Sequence, residues 1–367
     1  MTPPTPTVEL RPFQAKAIQR LTTPGHLICV SPTGSGKSLI FHRLAEQARQ
    51  RTILVSPLVA LARQHHEQLT RSGISAELYT GGDRNFPSAQ TRVWILSPES
   101  LRLPRVQAKA RDWKPSLLVV DECHCYWEWG TQFRPAFLEL PKYIQKFSIP
   151  KSLWLTATLP SAARKELQGS LSNQLEEMGA FDLPENLTVD FQRVPFAKRT
   201  EKLVQWLEAH SSCGILFVAT REDTHRLARV VEAVGRPTVC YHGGMSREER
   251  VAIESWIENP KRREPGRVVI ATTAFGLGMD FPSLEWVCLW QAPLSLLNLA
   301  QALGRVARNG RSGEAVVFWD SEDFKLLEWA ASTPGGEREL KRVKEVLAAS
   351  ECRIQLLQRY FDSDLCS

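Results

Sequence analysis

Short apolar runs alternate with longer amphipathic stretches through the first half of the chain. Helical stretches such as 39–50 and 59–71 separate runs that are rich in β-branched and aromatic residues. The runs are 27–30, 53–55, 93–96, 117–120 and 153–155. Strands that alternate with helices predict a parallel sheet covered by helices on both faces. We therefore predict an α/β domain in this half.

A second series of apolar runs follows, again with helical stretches between them. These runs are 214–218, 238–241, 268–271, 286–290 and 315–318. The segment between the two series contains Pro184 and Pro195 and has no long periodic pattern, which is typical of a linker. We predict an α/β chain whose parts are a first domain over 1–183, a linker over 184–196, a second domain over 197–330 and a helical extension over 331–367.

Composition and charge limit the class of protein. The chain has 46 Lys and Arg against 40 Asp and Glu, a net charge of +6, which permits a polyanionic partner without requiring one. No segment approaches the roughly 18 uncharged apolar residues of a membrane span, and residues 1–7 are proline-rich rather than signal-like. Eight scattered cysteines fit a reducing compartment. We expect a soluble cytoplasmic protein with no membrane partner, nucleoid-associated if bacterial.

Residues 31–38 read SPTGSGKS, directly after one apolar run and directly before a helical stretch. Glycines let successive N–H groups turn toward phosphate oxygens, and the following helix start favours negative charge. In this pattern Lys37 supplies charge to the β and γ phosphates, and Ser38 offers a hydroxyl to Mg²⁺. A chance glycine-rich loop is the alternative, but the strand, loop and helix context favours nucleotide binding. The predicted contacts are Thr33, Gly34, Ser35, Gly36, Lys37 and Ser38.

The apolar run 117–120 ends in Asp-Glu-Cys-His. Ligands of open parallel sheets bind at the carboxyl ends of strands, so Asp121 is a candidate outer ligand of Mg²⁺ and Glu122 a candidate base for the attacking water. The alternative is that both are acidic residues of a surface turn. The phosphate loop upstream in the sequence makes that interpretation improbable. Zinc is not predicted at Cys123, His124 and Cys125, because three consecutive residues cannot converge on one tetrahedral ion.

Arg305 and Arg308 lie in the sequence QALGRVAR of the second domain. On a helix or helix entry, residues three apart share a face. Arginine suits γ-phosphate charge because its planar guanidinium stays protonated and donates in pairs. A solvated helix face is the alternative interpretation of such a pair.

The order of these motifs resembles the superfamily 2 helicases, and RecQ DNA helicases in particular, from Leu10 to Phe361. The resemblance implies two RecA-like domains, ATP with Mg²⁺, and 3′ to 5′ movement on single-stranded DNA. It assigns nucleotide contacts to Arg11, Gln14 and Asp280. It assigns coupling of nucleotide state to domain closure to His124, Thr156, Thr158 and Gln301. It assigns nucleic-acid contacts to Ser56, Pro57, His242, Thr272 and Thr273.

The segment 125–135 resembles the aromatic-rich loop by which RecQ helicases sense single-stranded DNA. Trp127, Trp129 and Phe133 can stack on bases without sequence preference, and Arg134 can bind a phosphate. Core packing is the alternative interpretation of these aromatic residues. Thr131 and Gln132 depart from the histidine and aspartate that the family usually has there.

The C-terminus resembles the start of the RecQ zinc-binding subdomain, with Cys352 and Cys366 as candidate ligands. Two thiolates do not make a four-ligand site, so we predict no stoichiometric zinc. We also expect duplex unwinding to require a single-stranded overhang, because the winged-helix module that often follows is not in this sequence.

These observations together predict an ATP- and Mg²⁺-dependent DNA helicase or translocase. The expected partners are single-stranded DNA and duplexes with a single-stranded overhang. An RNA helicase and a catalytically silent nucleic-acid-binding subunit remain as alternatives.

Overall fold

A computed structural model gives the fold of the chain. It describes residues 9–32, 34–47, 50–81, 85–125, 136–172, 174–258, 266–272, 284–308, 310–330 and 336–362. The chain divides into two compact units. The first unit comprises residues 1–181 and 361–367, and the second comprises residues 182–360.

The first unit is a parallel sheet with helices on both faces. Its strands are β1 (Gly25–Val30), β2 (Thr52–Val55), β3 (Ala76–Leu78), β4 (Val93–Leu96), β5 (Leu117–Val120), β6 (Lys151–Thr156) and β7 (Leu175–Met178). Its helices are α1 (Pro12–Arg20), α2 (Lys37–Glu46), α3 (Val59–Arg71), α4 (Pro104–Trp113), α5 (Leu140–Lys146) and α6 (Ser161–Ser170). Within the described residues the strand order is β3-β4-β2-β5-β6-β1-β7.

Alternate residues of the central strands fill two separate cores. Leu118 and Val120 of β5 point into a core with Trp94, whereas Leu117 and Val119 point into the opposite core with Phe41. The period of two places successive side chains on opposite faces of the sheet. Both faces of the sheet are therefore covered, as the unbroken apolar runs predict.

The second unit repeats this plan. Its strands are β8 (Leu187–Arg193), β9 (Gly214–Phe217), β10 (Thr238–Tyr241), β11 (Val268–Ala271), β12 (Trp286–Leu289) and β13 (Gly313–Trp319). Its helices are α7 (Arg199–Ala209), α8 (Arg221–Ala233), α9 (Arg247–Glu258), α10 (Leu296–Leu303), α11 (Asp323–Ala330), α12 (Gly336–Ala348) and α13 (Arg353–Phe361). Among the described residues the order is β10-β11-β9-β12-β13-β8, with all pairings parallel. The predicted fold class, two tandem helix-flanked parallel sheets, is confirmed.

The predicted linker over 184–196 is wrong for most of its length. Seven of these residues form β8, which pairs with β13 from Leu187↔Gly313 to Arg193↔Trp319. β8 lies at the edge of the sheet, and each of its residues is half-buried or exposed. Such a strand has no continuous apolar run, and this is why the sequence pattern does not reveal it.

A buried ion pair joins three segments of the second unit. The guanidinium of Arg199, which is 0% exposed, donates to both carboxylate oxygens of Asp323 at 2.8 Å. It also donates to the carbonyls of Val194 at 3.0 Å and Trp290 at 3.1 Å. Asp323 in turn accepts the Ala292 N–H at 3.0 Å. The pair therefore fixes the segment that follows β12.

Candidate nucleotide and nucleic-acid sites

The loop between β1 and α2 has the backbone of a phosphate-binding turn. Gly34 (φ +79°) and Gly36 (φ +82°) both adopt the left-handed conformation that glycine tolerates without strain. Gly36 directly precedes α2, and no side chain among the described residues caps the first turn of this helix. The N–H groups of that turn are therefore suited to bind an anion.

The ammonium of Lys37 lies over this loop. Its Nζ donates to the carbonyl oxygen of Ser31 at 2.7 Å and to that of Pro32 at 3.0 Å. Ser38 follows in the same helical turn and is half-buried. The predicted phosphate-binding lysine and metal-binding hydroxyl therefore lie together where the loop enters the helix.

Gln14 is built into the base of the loop. It is 2% exposed, and its Nε2 donates to the carbonyls of Ser35 at 3.3 Å and Gly36 at 2.9 Å. Its Oε1 accepts the backbone N–H of Arg11 at 2.8 Å. Both amide hydrogens therefore hold the loop, and the adenine contact expected of Arg11 and Gln14 stays a prediction.

The acidic pair follows β5, two strands from β1, so it emerges at the same edge of the sheet as the phosphate loop. Asp121 is 5% exposed. Its Oδ1 accepts the Glu122 N–H at 3.0 Å, and its Oδ2 lies 2.7 Å from Nε2 of His65. Glu122 has a left-handed backbone (φ +49°), a conformation that is strained outside glycine and is often found at functional sites.

His124 links the acidic pair to the end of β6. Its Nδ1 lies 3.1 Å from Oγ1 of Thr156 and 3.3 Å from Oε2 of Glu122. The Thr156 hydroxyl donates to the carbonyl of Thr158 at 2.8 Å. Burial lowers the pKa of His124, but Cys125 and Glu122 raise it by more, so this pKa lies well above its ordinary value. The structure thus brings three of the four predicted coupling residues together.

The residues at this edge fit a magnesium nucleotide. Mg²⁺ prefers oxygen ligands, and Ser38 and Asp121 provide a hydroxyl and a carboxylate. Oγ of Ser35 is buried with no hydrogen-bond partner in the part of the chain that the structure describes. A bound ligand would satisfy such an atom, since buried polar groups are nearly always paired.

Ser56 and Pro57 follow β2 directly, and their nucleic-acid contact stays a prediction. Both side chains are buried, and Oγ of Ser56 donates to the Leu58 carbonyl at 3.4 Å. The hydrogen-bonding pattern of the sheet continues past β2 before α3 begins, and both side chains therefore point into the protein. Val59, which is 61% exposed, is the accessible residue at this corner.

The two arginines do not share a helix face, so that prediction is wrong. α10 ends at Leu303, and both arginines lie in the irregular turn that follows. Nε and Nη2 of Arg308 donate to the Gly304 carbonyl at 2.9 and 2.8 Å. Ala307 between them has a left-handed backbone (φ +58°). Arg305 and Arg308 are nevertheless both buried, at 7% and 8% exposure, rather than solvated.

A cavity that is partly open to solvent lies where β9 and β12 end in the second unit. Its polar lining includes Asn298, Gln301 and Arg305, and the rest is mainly apolar. Nε2 of Gln301 is buried and has no hydrogen-bond partner among the described residues. The structure therefore places the fourth predicted coupling residue and one predicted arginine in the same cavity.

His242 and Thr272 lie after neighbouring strands of the second sheet. The ring of His242 meets that of His225 edge-on, with centroids 5.4 Å apart. Burial, together with His225 and Arg221, lowers the pKa of His242. Thr272 is buried, and its N–H donates to the Tyr241 carbonyl at 3.1 Å. The basic side chains beside His242 are consistent with an anionic partner.

Several predicted residues lie outside the described ranges. They are Thr33, Trp127, Trp129, Phe133, Arg134, Thr273, Asp280 and Cys366. Within those ranges, no group of three or more His, Cys, Asp and Glu side chains is placed to hold a metal ion. No helix there is long and apolar enough to span a bilayer.

Sequence reasoning missed His65 and His225. His65 lies on the buried face of α3 with Leu61, Ala62 and Leu69. The signal available in the sequence is a single polar residue at a helix position where the pattern expects an apolar one. Such a residue is buried, and a buried polar side chain needs a hydrogen-bond partner. His225 is far in sequence from the motif that contains His242, and nothing in the sequence indicates that the two rings are in contact.

Comparison with known proteins identifies the class. Residues 11–167 match the family described as DEAD/DEAH box helicase, and residues 198–310 match the helicase conserved C-terminal domain. The yeast (S. cerevisiae) protein Dbp5, solved with RNA and ADP BeF3, has the same fold, with a TM-score of 0.63. It is 19% identical, over 92% of this chain and 98% of that chain. The chain is therefore a helicase core of superfamily 2.

Within this class the chain is similar to the RecQ DNA helicases. It is 27% identical to the ATP-dependent DNA helicase RecQ of Haemophilus influenzae, over 91% of this chain and 56% of the relative. It is 29% identical to RecQ of Synechocystis sp., over 87% of this chain and 71% of that relative. The chain thus spans little more than half the length of the Haemophilus protein.

Proposed function

We propose that this chain is the motor core of an ATP-dependent DNA helicase that moves 3′ to 5′ on single-stranded DNA. One observation carries the proposal: the phosphate loop, the acidic pair and the His124–Thr156 contact all lie at one edge of the first sheet. The similarity to RecQ DNA helicases supports DNA as the substrate, and the polarity follows from the same resemblance.

In this proposal each residue of the first site has a separate task. The α2 start and Lys37 bind phosphate, while Ser38 and Asp121 would hold Mg²⁺, which neutralises charge on the phosphate oxygens. Glu122 orients the attacking water and takes its proton. Its contact with His124 holds the carboxylate in place. The site therefore separates binding from hydrolysis.

The second unit contributes positive charge and the nucleic-acid contacts. Arg305 and Arg308 supply guanidinium groups for the γ-phosphate, where developing charge is greatest. His242 and Thr272 contact the strand backbone. The resemblance adds Thr273 as a further backbone contact and Asp280 for the ribose.

Coupling runs through the contact between His124 and Thr156. A change at the γ-phosphate reaches Glu122, whose carboxylate lies 3.3 Å from His124, and then the end of β6. The aromatic residues Trp127, Trp129 and Phe133 report bound single-stranded DNA to the adjacent strand end at Asp121 and Glu122. Stacking of this kind contributes about 1–3 kcal/mol per base.

Strand separation tests the proposal directly. We expect ATP to drive unwinding of a DNA duplex with a 3′ single-stranded overhang, but not of a 5′-overhang or blunt duplex. Lys37→Ala is the control, since it removes the phosphate-binding charge. If the chain unwinds an RNA duplex and no DNA duplex, it is an RNA helicase instead. Unwinding from the 5′ overhang alone would contradict the polarity.

A further inference from the structure

The carboxylate of Asp121, the proposed metal ligand, is hydrogen-bonded to His65. This histidine has no part in the chemistry described above. Nε2 of His65 lies 2.7 Å from Oδ2 of Asp121. The two residues are 56 positions apart in sequence, and both are buried, at 2% and 5% exposure. A buried contact at this distance is a strong hydrogen bond, because its acceptor is charged.

The position of the proton follows from the partners. A carboxylate only accepts, so Nε2 of His65 carries the hydrogen. Nδ1 is buried without a hydrogen-bond partner among the described residues. The edge of the Phe41 ring packs against the imidazole, with centroids 5.2 Å apart. The ring is therefore held by packing, and its one hydrogen bond points at Asp121.

We propose that His65 is a positioning residue that orients Asp121 for the metal; this rests on the proposed function, in which Asp121 is an outer ligand of Mg²⁺. Each carboxylate oxygen takes one internal hydrogen bond, Oδ1 from the Glu122 N–H and Oδ2 from His65. Each oxygen has two lone pairs, so each keeps one for the metal and its waters. The two donors together fix the plane of the carboxylate.

A matched set of variants separates positioning from packing. His65→Leu keeps the apolar contacts of the buried helix face and removes the donor. His65→Gln replaces the ring with an amide N–H of similar reach. His66→Leu is the control: His66 is the next residue of α3, and its Nε2 bonds to the Ala76 carbonyl at 3.1 Å instead of to Asp121.

The measurement is the affinity for a fluorescent ATP analogue, with Mg²⁺ and with EDTA. The ratio of the two affinities reports the metal's share of binding. We expect His65→Leu to lower this ratio about 10- to 100-fold, the usual effect of losing a residue that orients a metal ligand. We expect His65→Gln to recover most of the ratio and His66→Leu to leave it unchanged.

Two results would overturn the inference. One is an unchanged ratio in a folded His65→Leu protein. The other is an equal loss of affinity with Mg²⁺ and with EDTA, which indicates distortion of the phosphate loop. If the unaltered chain binds no nucleotide, the proposed function itself fails. If the unaltered chain and His65→Leu both bind the analogue more tightly with Mg²⁺ than with EDTA, and by the same ratio, the proposed function stands and only the positioning role of His65 fails.

Discussion

Individual residues at the nucleotide site depend on unusual backbone geometry. Gly34 and Gly36 are left-handed in the loop, and Glu122 adopts the same region although it has a side chain. A non-glycine residue in this region costs roughly 1–2 kcal/mol. The strain at Glu122 is therefore balanced by the contacts around it, and the two glycines avoid that cost.

Gly34→Ala and Gly36→Ala form a matched pair. Both place a methyl group on a left-handed residue. Among the described residues, only the Cβ at position 36 meets an obstacle, Nε2 of Gln14 at 2.7 Å. We expect Gly36→Ala to displace Gln14, to weaken nucleotide binding at least about 10-fold, and to lower the melting temperature more than Gly34→Ala does. Titration with ATP and thermal unfolding check this. Equal effects of the two variants would show that the Gln14 contact does not hold the loop.

Binding and hydrolysis should separate at Lys37 and Glu122. Lys37→Ala removes charge from the phosphates, so we expect ATP affinity and turnover both to fall. Glu122→Gln keeps the shape of the site and loses the base, so ATP should still bind while hydrolysis falls about 100-fold or more. Equilibrium binding and single-turnover hydrolysis measure the two steps. The same loss of affinity in both variants would contradict this division.

At the scale of elements, an unbroken apolar run decides which strands a sequence pattern reveals. Central strands such as β2, β4 and β5 are buried on both faces, and their apolar runs predict them. The edge strands β3, β7 and β8 are half-exposed and lack such runs, so the pattern misses them. The edge strand β10 has the run 238–241 and is predicted. The phosphate loop and the acidic pair are predictable because local geometry requires those residue types.

Contacts between distant elements are not predictable in this way. The His65–Asp121 hydrogen bond joins α3 to the residue that follows β5, and it depends on how the helix packs on the sheet. The spacing of Arg305 and Arg308 predicts a shared helix face, yet α10 ends two residues earlier. Both features are set by tertiary packing, which propensity does not encode.

Loss of one partner of the Arg199–Asp323 ion pair should strongly destabilise the second unit. Removing one partner leaves the other charge buried, which typically costs 3–5 kcal/mol, so we expect about that loss for Arg199→Met. Arg193→Met is the control. Arg193 pairs with Asp320 at 3.6 Å with its side chain 63% exposed, and such pairs contribute about 1 kcal/mol or less. Urea unfolding measures the free energy of unfolding of both variants. Equal losses of stability would contradict the greater importance of the buried pair.

For the whole molecule, the first unit includes residues from both ends of the sequence. Phe361 is fully buried, its ring lies 4.3 Å from that of Phe181, and its carbonyl accepts from Arg164 at 3.1 Å. Phe361, the last residue of α13, therefore packs in the unit that contains the phosphate loop. It follows Phe181 by 180 positions in the sequence.

Phe361→Ala should destabilise the first unit by about 3–5 kcal/mol, the usual cost of removing a buried phenylalanine. We expect ATP binding to be lost at a lower urea concentration in this variant. Val316→Ala is the control, because Val316 is buried in the sheet of the second unit. Unchanged urea dependence of ATP binding in Phe361→Ala would show that the first unit is stable without this contact.

The central claim is that the chain is a nucleic-acid-dependent ATPase motor, and steady-state ATP hydrolysis with and without single-stranded DNA tests it most directly. We predict that DNA stimulates hydrolysis by the unaltered chain, that RNA of the same length stimulates it less, and that Trp129→Ala with Phe133→Ala removes the stimulation while basal hydrolysis remains. A folded, ATP-binding chain whose hydrolysis is the same with DNA, with RNA and with neither would contradict the account.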